Sequence, residues 1–88
     1  MLFRSLARAT NGALVSCGLG FLIGQELELA PSETHDLAQM GRIAVRLIDA
    51  LVHIGPLAEP QQLIGPDGEK LFAVPRADGG RLLVTVER

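Results

Sequence analysis

Residues 32–54, SETHDLAQMGRIAVRLIDALVHI, constrain this chain most, because no other run is long and periodic enough to dictate a helix. At about 100° per residue, Gln39, Arg42, Arg46, Asp49 and His53 fall on one polar stripe roughly 80–100° wide. The remaining positions are apolar. Leu37, Met40, Ile43, Ala44, Leu47, Ile48, Leu51 and Ile54, with Ala38, Gly41, Val45 and Val52 beside them, sweep out roughly 240°, against the ~100° a one-sided surface helix needs. Such a helix is expected to be covered twice: by a sheet on one flank, and on the other by a backbone that the small residues Ala38, Gly41 and Ala44 would admit. Ser32 is the expected N-cap, with Glu33 and Asp36 where the helix dipole favours acid. Gly55-Pro56 reads as the stop, a left-handed residue followed by a proline that cannot continue the helix.

The elements before the helix are short. Residues 1–11 carry Leu2, Phe3, Leu6 and Ala9 with Arg4 and Arg8 between them, the pattern of a stub helix ending at Asn11-Gly12. Residues 13–17 and 21–29 read as two strands joined at Gly18-Leu19-Gly20, the second with Leu27 and Leu29 alternating with Glu26 and Glu28. After the helix, residues 61–65, 69–75 and 81–87 form a meander separated by Pro66-Asp67-Gly68 and Ala77-Asp78-Gly79-Gly80. Leu71-Phe72-Ala73-Val74, apolar on both sides, is expected to be a central strand. The expected architecture is a single α+β domain over residues 1–88. Its order is (short α)-β-β-α-β-β-β, an antiparallel five-stranded sheet with the long helix on one face and little on the other.

An 88-residue chain buries about 60–65% of its unfolded surface, so its stability is thin unless something supplements the core. Cys17 stands alone and cannot form an intramolecular disulfide, and two His with one Cys cannot close a zinc site. With 48% hydrophobic and only 3% aromatic residues, oligomerisation is the natural supplement. A net charge of −2, eight dispersed Lys and Arg, and the absence of Trp and Tyr argue against a nucleic-acid surface.

Order and local wording together resemble the roadblock/dynein light chain family. GALVSCGLGFLIGQ is similar to that family's first hairpin, residues 37–54 to its central helix, and QQLIGPDGEKLFAVPRADGGRLLVTVE to its closing meander. Two departures from the family's pattern, a stub first helix and a missing C-terminal helix, make the expected form a minimal one. The resemblance implies dimerisation through central helices and an edge strand, and a role as a platform for Ras-like small GTPases or as a motor light chain. On that reading Met40, Gly41, Ala44, Leu47, Ile48 and Leu51 form the homodimer interface, and Arg42, Arg46, Gln39 and Asp49 meet the partner. The expected protein is a cytoplasmic scaffold without catalysis, cofactor or metal, contacting neither membrane nor nucleic acid.

Other motifs have plainer readings. Leu14-Val15-Ser16-Cys17 matches a lipobox, with Arg4 and Arg8 as a charged leader, and makes a membrane-anchored lipoprotein the competing reading. However, Ala9-Thr10-Asn11-Gly12 interrupts the apolar run such a leader needs, so Cys17 is expected to be shielded in a strand. Residues 12–24 are too few to span a bilayer. Gly18-x-Gly20-x-x-x-Gly24 misses the spacing of a dinucleotide loop. His35 and His53 lie roughly 27 Å apart along the helix and share no metal. Ser5, Ser16 and Ser32 show no His/Asp partner arrangement, and Glu26 with Glu28 reads as a solvated strand face. A small ligand-sensing module remains a third class, whose sign would be an apolar pocket between helix and sheet.

Overall fold

The computed structural model describes residues 6–77 and 80–87. In chain order the elements are β1 (Leu6–Arg8), β2 (Leu14–Ser16), α1 (Leu19–Ile23), β3 (Glu26–Leu29), α2 (Leu37–Ile54), β4 (Gln61–Ile64), β5 (Lys70–Pro75) and β6 (Arg81–Val86). They build an α+β fold in which six strands form one sheet, ordered β1-β2-β3-β6-β5-β4.

The sheet is mixed, not the expected five-stranded antiparallel one. β3 and β6 run parallel, with Leu27 beside Leu82 and Leu29 beside Val84, and the other pairs are antiparallel. The cause is a count of reversals. α2 carries the chain back across the sheet, so β4 runs in the direction of β3, β5 against it and β6 with it again. The meander then folds inward and lays β6 against β3. β5 lies between β6 and β4, the central position its apolar run predicts.

Two expected elements change character at glycines. In place of the stub helix, Leu6–Arg8 forms a strand paired with β2, and Asn11-Gly12 is the turn of that hairpin. Gly12 takes φ +91°, and the Asn11 side chain accepts a hydrogen bond from Ala13 N–H at 3.0 Å. The remainder of that stub, residues 1–5, lies outside the described residues. The Gly18-Leu19-Gly20 turn is instead the start of α1, a five-residue helix held between Gly18 (φ +102°) and Gly24 (φ +78°). The following strand shrinks to Glu26–Leu29, where strict alternation begins.

α2 starts at Leu37, not after Ser32. Asp36 caps it reciprocally: Gln39 N–H donates to Asp36 Oδ1 and Asp36 N–H to Gln39 Oε1, each at 2.8 Å. An acid followed three residues later by Gln is a capping box, and it prevails over Ser32, whose hydroxyl bonds Thr34 and His35. At the other end Gly55 has φ +86° and donates to the Leu51 carbonyl at 2.8 Å.

One face of the sheet and the inner face of α2 make the core. Ile43, Ala44, Leu47 and Leu51 pack with Leu27 and Leu29 of β3, Leu82 and Val84 of β6, and Leu71 and Ala73 of β5. Each fully buried leucine contributes about 1.5–3 kcal/mol. Among the described residues the second flank of α2 has no such cover: Val45 is 49% exposed, and outside the helix's own neighbouring backbone no atom lies within 4 Å of where a Gly41 Cβ would stand. Among the described residues, therefore, no second backbone closes on Gly41, while Ala44 is packed in the core. Gly41→Ala is expected to raise stability by about 0.5–1 kcal/mol through helix propensity alone, measured by urea unfolding. A loss would mean that the site is occupied.

Candidate interaction surfaces

The polar stripe of α2 faces solvent. Arg42, Arg46, Asp49 and His53 are exposed, and Gln39 is half-buried by its capping role. Arg42 Nη2 meets Asp67 Oδ2 at 3.1 Å, joining the helix to the β4–β5 turn, with both side chains more than half exposed. Such a pair holds the turn with at most about 1 kcal/mol. His53 Nδ1 lies 2.8 Å from the Asp49 carbonyl one turn earlier.

The six residues expected to pair helix with helix occupy a different place. Met40, Ala44, Leu47, Ile48 and Leu51 are all at most 7% exposed inside a single chain, because the sheet covers the apolar arc they centre. The expectation of an interface on these five is corrected on that ground: a partner could reach them only by prising α2 off the sheet. Gly41 alone remains at the edge of the open flank.

Among the described residues no helix packs on the sheet's outer face, as the element order implies. Across it run Val15, Glu28, Leu83 and Val74 in one row and Thr85, Phe72 and Gln62 in the next. Phe72 is 41% exposed and Ile64, on edge strand β4, 61%. Glu28 is not simply solvated, since Arg81 Nη1 holds it at 3.0 Å across the parallel pair.

The β2–α1–β3 segment is the feature that periodicity hides. Glu26 turns its carboxylate onto this loop, where Oε1 accepts from Ser16 Oγ at 2.6 Å and Oε2 from Gly20 N–H at 2.9 Å and Gly18 N–H at 3.2 Å. Ser16, 2% exposed, accepts in turn from Leu27 N–H at 2.7 Å. Partial burial pushes the Glu26 carboxyl up, but these hydrogen bonds, with a further one from Leu19, outweigh it and hold the group below the ordinary 4.5. So braced, α1 buries Leu19 and presents Phe21 at 95% and Leu22 at 59% exposure. Cys17, expected to be shielded, is exposed just past the end of β2, so its thiol is accessible in the folded state.

Beside α1 lies an open cleft of about 530 Å³, lined by residues 23–25, 56–58, 60 and 75–77. Its floor is Gln25, whose amide bridges Leu57: Nε2 donates to the Leu57 carbonyl at 3.0 Å and Oε1 accepts from Leu57 N–H at 3.1 Å. This cleft sits between loops at one end of the molecule, whereas the ligand-sensing reading asked for one between helix and sheet. Among the described residues, no group of three or more His, Cys, Asp or Glu could hold a metal ion, and no helix is long and apolar enough to cross a membrane. Comparison with protein-family models, with curated proteins and with solved structures returns no match.

Proposed function

We propose that this chain is a non-enzymatic, homodimeric binding platform that receives a protein partner on the exposed polar face of α2. The observation that supports an interaction role is an inversion of the usual placement of aromatic residues; the α2 face itself comes from the resemblance and from its exposed arginines. The chain hides its core leucines completely but leaves both described phenylalanines, Phe21 and Phe72, in water. Exposed aromatic side chains with neighbouring aliphatics are the raw material of protein interfaces. The polar groups withdrawn from water, Gln25 and Ser16, are engaged in bracing loops.

The partner class comes from the roadblock resemblance: a Ras-like small GTPase, met by Arg42 and Arg46 with Gln39 and Asp49 at the rim. Arginine is enriched at interface hot spots, and Arg42 can leave Asp67 at small cost because that pair is exposed. Replacing Arg42 and Arg46 together by alanine is expected to weaken binding by at least ~1 kcal/mol while leaving the fold intact. Calorimetry with the cognate GTPase, loaded with GDP and with GTP, measures this. Absence of binding in both nucleotide states, or unchanged binding by the double variant, would remove the proposal.

A further inference from the structure

We propose that α1 is the dimerisation element: in a two-fold pair, Phe21 of each protomer seats in the other protomer's proline-lined cleft. This rests on the homodimeric reading above and names the surface that it lacks, since the inner face of α2 is closed.

Three observations lead to it. First, the knob is built and held. α1 is bounded by Gly18 and Gly24, both at positive φ, and Glu26 ties its first turn to Ser16 and to two backbone N–H groups. A loop braced in this way presents Phe21 already ordered, so little conformational freedom is lost when it docks. Second, the cleft, although Arg76 also lines it, offers an apolar wall to an aromatic guest. Pro56, Pro60 and Pro75 wall it with rings that have almost no rotamer freedom, and Ile23 and Leu57 add aliphatic surface. The amide of Gln25 commits one N–H and its oxygen to the backbone of Leu57, and at 2% exposure it offers little polar surface to a guest. At about 530 Å³ the cleft has ample room for a benzyl group.

Third, knob and hole are neighbours. Phe21 and Leu22 immediately precede Ile23, Gly24 and Gln25, which form one wall of the cleft. When a projection and its complement lie side by side on one surface, a two-fold axis between them fills both holes at once and closes the assembly at two copies. A second copy of this chain is therefore the occupant. An unrelated aromatic peptide would fill the cleft but leave Phe21 in water. Two phenylalanines and two leucines, with the walls they cover, bury roughly 1,000 Å² in total, the low end for a specific interface. The dimer should accordingly be a weak one that dissociates in the micromolar range.

Sedimentation velocity of the full chain from about 1 to 300 µM tests this. Wild type should dimerise, and Phe21→Ser should raise the dissociation constant at least tenfold with an unchanged circular dichroism spectrum and melting temperature. Ala58→Arg, which places a long charged side chain at the cleft wall, should do the same. Mixing the two variants should restore partial association, since one unaltered knob then faces one unaltered cleft. If Phe21→Ser dimerises as wild type does, the homodimer stands on another surface and this inference fails. A wild type that stays monomeric throughout removes both the inference and the homodimeric reading.

Discussion

Replacing Gln25 by leucine will destabilise the fold by about 2–5 kcal/mol, although the two side chains are similar in size and the change adds apolar surface to a buried site. Gln25 is 2% exposed, and its amide makes both of its observed hydrogen bonds to the backbone of one residue, Leu57, thirty-two positions along the chain. That geometry imitates a strand bridge and fixes the loop after α2 against the start of β3. Leucine would leave the Leu57 N–H and carbonyl both buried and unpartnered, at about 1–3 kcal/mol each. In a domain of this size each kcal/mol lowers the melting temperature by about 4–8 °C, so the loss is readable in a single thermal scan. Gln25→Glu separates the causes. The carboxylate can still accept from Leu57 N–H but cannot donate to its carbonyl, and a smaller loss at high pH than at low pH is not expected of it. A Leu variant as stable as wild type would mean that water reaches Leu57.

What was legible in the sequence follows from how many periods each element spans. α2 is eighteen residues, five turns, and its apolar arc and Gly55 stop stand where the 3.6 period places them. The meander strands are bounded by glycine and proline turns and shift by a residue at most at either end. β1 and β2 have three residues each, too few to display a period of two, and α1 has five, little more than one helical turn. The parallel β3–β6 pair was hidden for another reason: it depends on where the meander lands, which no local pattern encodes.

The surface was legible in the same proportion. The polar stripe, from Arg42 to His53, points outward as its spacing requires. Periodicity shows how wide the apolar arc is but cannot say what covers it: the residues expected to meet a second helix lie under the chain's own sheet, and the flank with Val45 stays open among the described residues. By hydropathy Phe21 and Leu22 read as strand interior, because hydropathy registers what a side chain is, not which way a turn aims it. The signal available was the glycine at each end. Gly18 and Gly24 bracket a five-residue run, and two residues later stands Glu26, an acid able to reach back to the N–H groups the first glycine exposes.

Glu26 will make this protein acid-sensitive. Removing its carboxylate with Glu26→Ala takes away the acceptor for Ser16 Oγ, Gly18 N–H and Gly20 N–H together, and about 1–3 kcal/mol should be lost. A Cβ at Gly20 would stand 2.8 Å from Glu26 Oε2, so a side chain there would push the carboxylate from its place. The pH dependence has a definite sign. The folded protein holds this carboxyl below the 4.5 of a free glutamate, so the folded state prefers the charged form more strongly than the unfolded chain does. Its contribution is complete above 4.5 and drains away as the pH falls through the folded value, where the unfolded chain binds the proton first. Urea unfolding from pH 7 downward should therefore show a stability loss below 4.5 that Glu26→Ala largely lacks, while the two proteins approach each other in acid. Glu26→Gln should lie between them at neutral pH, since one amide oxygen can still accept while the charge is gone. Because α1 is braced by this group, the same acid step should loosen Phe21, and with it the proposed self-association, before the core unfolds. Parallel pH profiles for wild type and Glu26→Ala would show that the charge of Glu26 does not brace the loop.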